Sequence, residues 1–307
     1  FWPNLFREAE RAGVRVAVVN ARVSDRAFPR YRLFRFFFRD VLNRASLLLA
    51  QSEEDARRLR ELGGDPGRVC ATGNLKYDQP RPPSLPVWLD RQVMQWTAPG
   101  ALLAASTAAG EEGVVLEVFE RLRRQWPALR LILAPRRPER FEEVGRMALG
   151  RGLRLARRSQ LQPEGHGIHP DAAALLLDTV GELGAFYRYA TVAFVGGSLV
   201  PHGGQNILEA ALFARPIVVG PYTHNFREIT ASFLKAGALR QVASGAELAS
   251  ALEELLRSPK QAEAMGVAAR QLLEANRGST GRTLEAVAEL LEEGQPRLSR
   301  SPAGMAI

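Results

Sequence analysis

The chain has 307 residues, of which 46% are hydrophobic and 24% are charged, and its formal net charge is +8. This composition is that of a globular chain long enough for two domains of common size. No apolar run approaches the roughly 20 residues that a membrane-spanning helix needs, so the sequence predicts no such helix. The single cysteine, Cys70, excludes an internal disulfide and lies in a strand-like run, where we expect a buried structural thiol.

The first half of the chain alternates apolar runs with helix-like segments. The runs are 14–20, 46–51 and 68–72, and the segments between them are 31–44 and 53–62. This alternation predicts a parallel α/β sheet, and the near-continuous apolar runs predict strands covered on both faces. Because the chain starts Phe1-Trp2-Pro3 without an initiator methionine, we expect its natural beginning to be missing.

The positive charge is concentrated in residues 1–60, which hold thirteen arginines against seven acids. As one helix, 31–44 would turn Phe34, Phe37, Phe38 and Val41 to the core and its arginines to solvent. Phe36 falls among the arginines, and an aromatic ring on a basic surface is typical of contact with anionic lipid, the alternative being a solvated face. No nucleic-acid-binding motif is present, and no nucleic acid is expected. The predicted membrane contacts are Arg32, Arg35, Phe36 and Arg39.

A proline-rich stretch from Pro80 to Pro86 and a short helix predict an interdomain linker over 80–98. A second α/β series follows, and after Ala246 the chain is alanine-rich and helical, with a polar tail that we expect to be disordered. The predicted strands of the second series are 101–105, 129–134, 172–177, 191–195 and 216–220, and its helices are 111–125, 138–149, 182–189 and 206–213.

The stretch 194–211 combines a strand end, two glycine pairs and a helix start. The pairs are Gly196-Gly197, with Ser198 behind it, and Gly203-Gly204. Glycine lets a ligand approach the backbone, and free N–H groups at a helix start attract anions, so the loop predicts a phosphate site. Asn206 and Glu209 would lie on the first helical turn, where a carboxylate suits ribose hydroxyls. For one pair alone, a plain tight turn would be the better interpretation.

Other loops that follow predicted strands should lie on the same edge of the sheet, where ligands bind in open α/β folds. They bring Ser106, Thr107, Glu111 and Arg136 toward that edge. Each such arginine alone reads as a solvated surface residue, but the set favours a nucleotide phosphate, which a guanidinium binds through two parallel hydrogen bonds. The four histidines lack the spacing of a zinc site, so no metal and no cofactor are expected.

Eight collinear motifs together resemble the 3-deoxy-D-manno-octulosonic acid (Kdo) transferases of lipopolysaccharide synthesis. The resemblance runs from Phe1 to about Phe226 and is weaker beyond. The motifs are Trp2-Pro3-Asn4, Asn20-Ala21-Arg22-Val23-Ser24, Ala50-Gln51-Ser52-Glu53-Glu54-Asp55, Gly73-Asn74-Leu75-Lys76-Tyr77-Asp78, Gly110-Glu111-Glu112, Pro138-Glu139-Arg140-Phe141, Gly181-Glu182-Leu183 and the stretch 194–211.

The resemblance implies a GT-B glycosyltransferase with two Rossmann-like domains that moves Kdo from CMP-Kdo to the lipid A precursor at the cytoplasmic face of the bacterial inner membrane. It implies that Lys76 stabilises the transition state. The CMP contacts that it implies are Pro135, Arg136, Gly181, Glu182, Leu183, Asn206, Ile207, Leu208 and Glu209. The implied domains are an incomplete acceptor side (1–79), the linker (80–98), a donor domain (99–275), a C-terminal helix expected to pack back on the first domain (276–294) and a disordered tail (295–307).

Two departures from the family pattern accompany the resemblance. Ala108 and Arg137 stand where the family usually has histidines. The glutamate that serves the family as general base lies upstream of the Trp2-Pro3-Asn4 motif, so residues 1–307 are expected to bind CMP weakly and transfer nothing. The available acids, Glu8, Glu10, Glu53 and Glu54, read as helix surface or cap.

Two alternatives stay open from the sequence. One is another GT-B transferase or epimerase that uses a UDP- or ADP-linked sugar, because the glycine-rich loop and the helix-start glutamate would serve it equally. The other is a non-catalytic protein that contacts a membrane surface through the arginine and phenylalanine residues. Nucleotide preference separates the first from a CMP-dependent enzyme, and lipid binding without nucleotide binding would favour the second.

Overall fold

The computed structural model describes residues 2–164 and 167–292. The chain forms two compact units, Phe1–Asp78 with Asn276–Ile307, and Gln79–Ala275. Each unit contains a parallel sheet with helices on it, which confirms the predicted α/β class. Within the described ranges, no helix is long and apolar enough to cross a membrane. The predicted disorder of 295–307 lies outside the described residues.

The first unit is built on a three-stranded parallel sheet in the order β1-β2-β3. Its core joins strand residues such as Leu48 to helix residues such as Leu42 and Leu59, all fully buried. The strands are β1 (Ala17–Ala21), β2 (Leu47–Ala50) and β3 (Val69–Ala71), and the helices are α1 (Pro3–Arg11), α2 (Phe28–Leu33), α3 (Arg35–Asn43), α4 (Glu53–Glu61) and α13 (Ser279–Glu292).

Two predictions for these strands are wrong. β1 is not covered on both faces, because Val19 is 40% exposed and most of the strand is only partly buried. Cys70 is exposed as well. Successive side chains of a strand point to opposite faces, and in β3 it is Val69 that points into the core.

The arginine- and phenylalanine-rich segment is two helices, not one. The backbone leaves the helical region at Phe34, with φ −105° and ψ 33°, between α2 and α3. The break prevents one continuous apolar face: Val41 is buried, whereas Phe34 and Phe37 are exposed and Phe36 is 78% exposed. The surface around α3 is therefore more apolar than the sequence predicted.

The C-terminal helix α13 belongs to the first unit and packs on the loop that follows β3. The carboxylate of Asp78 accepts hydrogen bonds from the backbone N–H groups of Gly278 (2.7 Å) and Thr280 (2.5 Å). Arg282 donates to the carbonyl oxygen of Thr72 at 2.9 Å. These bonds fix the loop that contains the Lys76 motif against the start of α13.

The second unit is built on a seven-stranded parallel sheet in the order β10-β9-β8-β4-β5-β7-β6. Consecutive residues of its central strands are fully buried, as in Leu131, Ile132 and Leu133, because helices cover both faces. The strands are β4 (Ala101–Thr107), β5 (Arg130–Pro135), β6 (Leu155–Arg157), β7 (Ala174–Leu176), β8 (Val192–Val195), β9 (Ile217–Val219) and β10 (Arg240–Gln241).

The helices of the second unit follow the predicted alternation, with three elements that the sequence did not predict: β6, β10 and α10. The stretch expected to be a linker lies within this unit, and its helix α5 is anchored by a hydrogen bond from the indole of Trp96 to the Ala172 carbonyl at 2.9 Å. The helices are α5 (Val87–Thr97), α6 (Glu111–Arg123), α7 (Phe141–Gly150), α8 (Leu183–Phe186), α9 (Leu208–Leu212), α10 (Arg227–Lys235), α11 (Gly245–Arg257) and α12 (Pro259–Ala275).

Candidate functional site

Two cavities open where the strands of the second unit end. Both are lined by residues that follow β4, β5 and β8, so they lie at the carboxyl edge of the sheet, as predicted. The larger has a volume of about 550 Å³ and the smaller about 350 Å³. Arg136 and Gln205 line both cavities, so a single ligand that spans the two would pass these side chains.

The larger cavity is basic. Arg136, Arg137, Arg140 and His202 line it, against one acid, Glu139. Arg140 is already paired with neighbouring carboxylates. In the described part of the chain, the guanidinium groups of Arg136 and Arg137 make no hydrogen bond or ion pair. Two positively charged hydrogen-bond donors therefore face the cavity, and together they suit an anion.

The smaller cavity holds a half-buried carboxylate beside apolar walls. Burial raises the pKa of Glu209, against a hydrogen bond from Asn206 (3.3 Å) and the positive charge of Arg136. Burial also raises the pKa of the Tyr187 hydroxyl, and the charge of Glu209 adds to that rise. The lining residues of this cavity are Gln79, Pro80, Pro82, Ser106, Arg136, Gly181, Leu183, Gly184, Tyr187, Gln205, Asn206 and Glu209.

The helix at this cavity begins two residues later than predicted. Asn206 lies before α9, and its side-chain oxygen accepts a hydrogen bond from the backbone N–H of Leu208 at 3.1 Å. Asn206 and Glu209 both line the smaller cavity. Ile207 and Leu208, which were predicted to contact CMP, are buried in the core and line neither cavity.

The first glycine pair does not offer free N–H groups to a ligand. The backbone N–H groups of Gly197 (2.7 Å), Ser198 (2.9 Å) and Leu199 (2.7 Å) all donate to the carboxylate of Glu111. Glu111 has no exposed surface. The N–H groups of the predicted phosphate loop at Gly196, Gly197 and Ser198 are therefore not free for a phosphate. Glu111, which was predicted to bind the substrate or nucleotide, itself fills this anion site.

The second glycine pair shapes the loop but lines neither cavity. Gly203 and Gly204 have φ of +91° and +78°, a conformation that favours glycine. A Cβ on Gly203 would lie 2.5 Å from the side-chain nitrogen of Asn225. We therefore assign this pair to the turn that presents Gln205, which corrects its predicted contact with a ligand.

Of the predicted site residues at the ends of β4, β5 and β7, some line a cavity and others do not. Ser106 lines the smaller cavity with φ of 51°, and Thr107 lines the larger. Gly181 and Leu183 line the smaller cavity, but Glu182 does not, because it is paired with Arg158 at 2.7 Å. Pro135 ends β5 as a buried residue beside Arg136.

Sequence reasoning missed Gln205 and Tyr187 among the lining residues. Tyr187 lies four residues after Leu183, which is one helical turn, so the spacing could have indicated it. Gln205 directly follows the second glycine pair, but nothing in its residue type marks it. Ala108 and Arg137, the two departures from the family pattern, both line the larger cavity.

Lys76 lies in the first unit, in a short helical turn (Leu75–Tyr77) after β3, and its side chain is exposed. Asn74 caps that turn by accepting the backbone N–H of Lys76 at 3.0 Å. Asn20 accepts the N–H of Leu75 at 3.2 Å, and Gln51 donates to the carbonyl oxygen of Asn20 at 2.9 Å. The three strand ends thus hold the lysine loop together.

The four candidate acids of the first unit, Glu8, Glu10, Glu53 and Glu54, lie on helix surfaces, as predicted. Glu8 and Glu10 pair with Arg11 and Arg44. Hydrogen bonds from Arg57 and Arg58 lower the pKa of Glu54 to about 2, which is too acidic for a group that must accept a proton near neutral pH.

The fold has relatives among solved structures of nucleotide-sugar enzymes. A putative UDP-N-acetylglucosamine 2-epimerase from Listeria monocytogenes aligns with 94% of this chain and 72% of its own, with a TM-score of 0.59 and 15% identity. The S. aureus MnaA-UDP co-structure aligns with 95% and 74%, with a TM-score of 0.56 and 16% identity. At these identities the likeness shows the fold alone, which is that of GT-B enzymes.

More similar proteins, at 33–36% identity, show the family to which this chain belongs. A family profile described as "3-Deoxy-D-manno-octulosonic-acid transferase (kdotransferase)" matches residues 1–79. The 3-deoxy-D-manno-octulosonic acid transferase of Bordetella pertussis is 36% identical over 94% of this chain and 67% of its own length, and that of Haemophilus influenzae is 33% identical over 95% and 68%. The C-terminal CMP-Kdo binding domain of WaaA from Acinetobacter baumannii is 33% identical, with a TM-score of 0.55, over 60% of this chain and 96% of that domain. The chain belongs to the 3-deoxy-D-manno-octulosonic acid transferase family.

Proposed function

We propose that this protein transfers Kdo from CMP-Kdo to the lipid A precursor and that its second unit binds the donor. The observation that carries the proposal is Arg136, whose guanidinium lines both cavities and forms no salt bridge in the described part of the chain. Such a group binds a phosphate through two parallel hydrogen bonds. The phosphate of CMP-Kdo joins a nucleoside to a sugar acid, so its two sides would enter the two cavities.

The smaller cavity fits the nucleoside. The carboxylate of Glu209 can accept hydrogen bonds from the ribose hydroxyls, and Asn206 holds that carboxylate in place at 3.3 Å. Pro82 and Leu183 supply apolar surface for the flat face of the base. Because the carboxylate of Glu209 repels a phosphate, the donor would bind with its phosphate toward Arg136 and not inside the smaller cavity.

The larger cavity fits the sugar acid. Kdo carries a carboxylate, and Arg137 is an available guanidinium on this side of Arg136. Thr107, His202 and Gln205 offer polar atoms to the sugar hydroxyls. Two arginines thus meet the two negative charges of the donor.

The reaction breaks the bond between the anomeric carbon of Kdo and the phosphate oxygen of CMP. The acceptor hydroxyl forms the new glycosidic bond, and a general base takes its proton. Negative charge grows on the departing phosphate, where Arg136 would stabilise it. By the proposed family role, Lys76 also stabilises the transition state. We assign the base to none of the acids Glu8, Glu10, Glu53 and Glu54.

Calorimetric titration with CMP tests the donor site. Arg136→Ala should weaken CMP binding about 10- to 100-fold, because a charge-assisted pair is lost. The matched control is Arg124→Ala, an exposed arginine at the far end of α6, which should bind CMP as the wild type does. Equal affinity of the wild type for UDP, or no effect of Arg136→Ala, would argue against the proposal.

A transfer assay with CMP-Kdo and lipid A precursor tests the activity itself. Turnover would support the proposed activity, and Lys76→Ala should then reduce kcat more than it weakens CMP binding. CMP binding without turnover would support the donor site alone.

We also propose that α3 contacts the anionic surface of the bacterial inner membrane at its cytoplasmic face. Phe36 is 78% exposed and Leu33 76%, beside the exposed arginines Arg32, Arg35 and Arg39. Apolar side chains within a basic surface suit anionic lipid head groups. Phe36→Ala and Arg35→Glu should each reduce cosedimentation with phosphatidylglycerol vesicles, and neutral vesicles should bind little. Vesicle binding without any nucleotide binding would favour a non-catalytic membrane-surface protein instead.

A further inference from the structure

Glu111 occupies an anion site made of backbone N–H groups. One carboxylate oxygen accepts from Ser198 (2.9 Å) and Leu199 (2.7 Å), and the other from Gly197 (2.7 Å) and Ala108 (2.8 Å). The carboxylate has no exposed surface. Its partners in the described ranges are all backbone amides, so the charge is balanced by peptide dipoles and not by a cation.

The four N–H groups come from two loops that follow neighbouring strands. Ala108 lies in the loop after β4, and residues 197–199 lie in the loop after β8. The same two loops line the larger cavity, through Ala108 on one side and Gln205 on the other. A single carboxylate therefore fixes the distance between two walls of the cavities.

Glycine at position 196 makes this arrangement possible. A Cβ there would lie 2.7 Å from a carboxylate oxygen of Glu111 and 2.7 Å from the Cα of Thr107. Only a residue without a side chain lets the two loops approach this closely. The glycine pair that looked like a phosphate loop in the sequence serves an internal carboxylate.

We propose that Glu111 is a positioning residue for donor binding, and that its removal opens a site for a small carboxylate anion such as acetate. The first half of this proposal rests on the proposed function of the second unit. Without the carboxylate, four buried N–H groups lose their acceptor, and the two loops are free to separate. Acetate has the size of the atoms that Glu111→Ala removes, so it can restore the four bonds.

The test compares Glu111→Ala in acetate and in chloride at the same ionic strength. In chloride, the variant should bind CMP about tenfold more weakly than the wild type and melt at a lower temperature. Acetate should raise its melting temperature and bring CMP affinity back toward the wild-type value. If Glu111 were merely structural, the melting temperature and CMP affinity of the variant would not depend on which anion is present.

Glu247→Ala is the matched control. Glu247 also accepts a backbone N–H at a helix start, from Ala243 at 2.8 Å, but it is exposed. Neither this variant nor the wild type should be stabilised by acetate more than by chloride. Wild-type CMP affinity in Glu111→Ala, or an acetate effect no larger than in the control, would overturn the proposal.

Three further results are informative. If Glu111→Ala folds only in acetate, the anion site is supported. If it folds in neither salt, the test uses Glu111→Gln, which keeps the shape of the side chain without its charge. This variant should bind CMP about tenfold more weakly than the wild type, and wild-type affinity would overturn the proposal. If the wild type binds no CMP, the proposed function fails, while the acetate dependence of the melting temperature still tests the anion site.

Discussion

Arg140 donates to the carboxylate of Glu112 at 2.6 Å, and that carboxylate has no exposed surface. The hydroxyl of Thr107 donates to the same oxygen at 3.2 Å, and the second oxygen has no partner in the described part of the chain. Arg140 also pairs with Glu143 at 3.0 Å. The arginine thus joins the start of α6 to the segment that forms one wall of the larger cavity.

Arg140→Ala should therefore be strongly destabilising. It leaves the charge of Glu112 buried without a cation, and breaking such a pair costs about 3–5 kcal/mol. Urea denaturation measures the loss of unfolding free energy. Arg151→Ala is the matched control, because its pair with Glu120 at 3.1 Å is about one third exposed on both sides, and such pairs contribute about 1 kcal/mol or less.

The double variant Arg140→Met with Glu112→Gln refines this prediction. It leaves neither charge unpaired, so it should recover part of the stability that Arg140→Ala loses. Equal losses in Arg140→Ala and Arg151→Ala, or no recovery in the double variant, would contradict the role of Arg140 as the counter-charge of Glu112.

Glu209 should make the protein less stable as pH rises, which is the reverse of the usual effect of an acidic side chain. Burial raises its pKa in the folded protein, so the folded state holds the proton more tightly than the unfolded state does. Its contribution to stability is complete below the pKa of the unfolded chain and is lost as pH rises through the higher folded pKa. Ionised Glu209 therefore destabilises the fold near neutral pH.

Glu209→Gln tests this sign. The variant should be more stable than the wild type at pH 7, and the difference should shrink as pH falls toward 4. At the same time it should bind CMP about tenfold more weakly, since the amide accepts ribose hydroxyls less well than a carboxylate. Unfolding free energies at several pH values would contradict this argument if the variant were less stable throughout.

Much of the fold was predictable because strands that are buried on both faces appear in the sequence as continuous apolar runs. Apolar runs such as 131–134 lie in a sheet covered on both faces, so each of these positions is buried and apolar. The short edge strand Leu155–Arg157 was missed because its side chains are half-buried and carry no such run. The break at Phe34 was missed because apolar spacing alone does not report the backbone angles of one residue.

The candidate site was predictable in place but not in its contacts. The rule that loops after parallel strands share one edge predicted that Arg136, Asn206 and Glu209 lie together, and all three line the smaller cavity. It could not show that Glu111 reaches from one loop to the amides of the next, because that depends on the three-dimensional approach of two distant segments. A glycine pair reports that something lies close to the backbone, not what that group is.

Two helical glycines should respond oppositely to the same substitution. A Cβ on Gly266 in α12 would lie 2.0 Å from the carbonyl oxygen of Ala214, in the turn after α9. Gly266→Ala should therefore destabilise the second unit by about 1–3 kcal/mol, because the helix must move away. Beyond its own helix backbone, Gly281 in α13 has no described atom within 4 Å of its Cβ position, and Gly281→Ala should stabilise the protein by about 0.5–1 kcal/mol.

Calorimetric melting of both variants checks this pair. Because α12 packs beside α9, which carries Glu209, Gly266→Ala should also weaken CMP binding, whereas Gly281→Ala should not. Stabilisation by both substitutions would show that the close approach of Gly266 to Ala214 does not constrain the protein.

Cys70 gives a direct chemical test of the first unit. The sequence favoured a buried thiol, but the structure exposes Cys70 on β3 while Val69 beside it points into the core. A maleimide reagent should therefore label the folded protein at one site without denaturant, because the side chain is open to solvent. Cys70→Ser should abolish labelling and change the unfolding free energy by no more than about 0.5 kcal/mol, as expected for a surface substitution. Labelling that requires denaturant would mean that the thiol lies inside the fold and that the alternation in β3 is reversed.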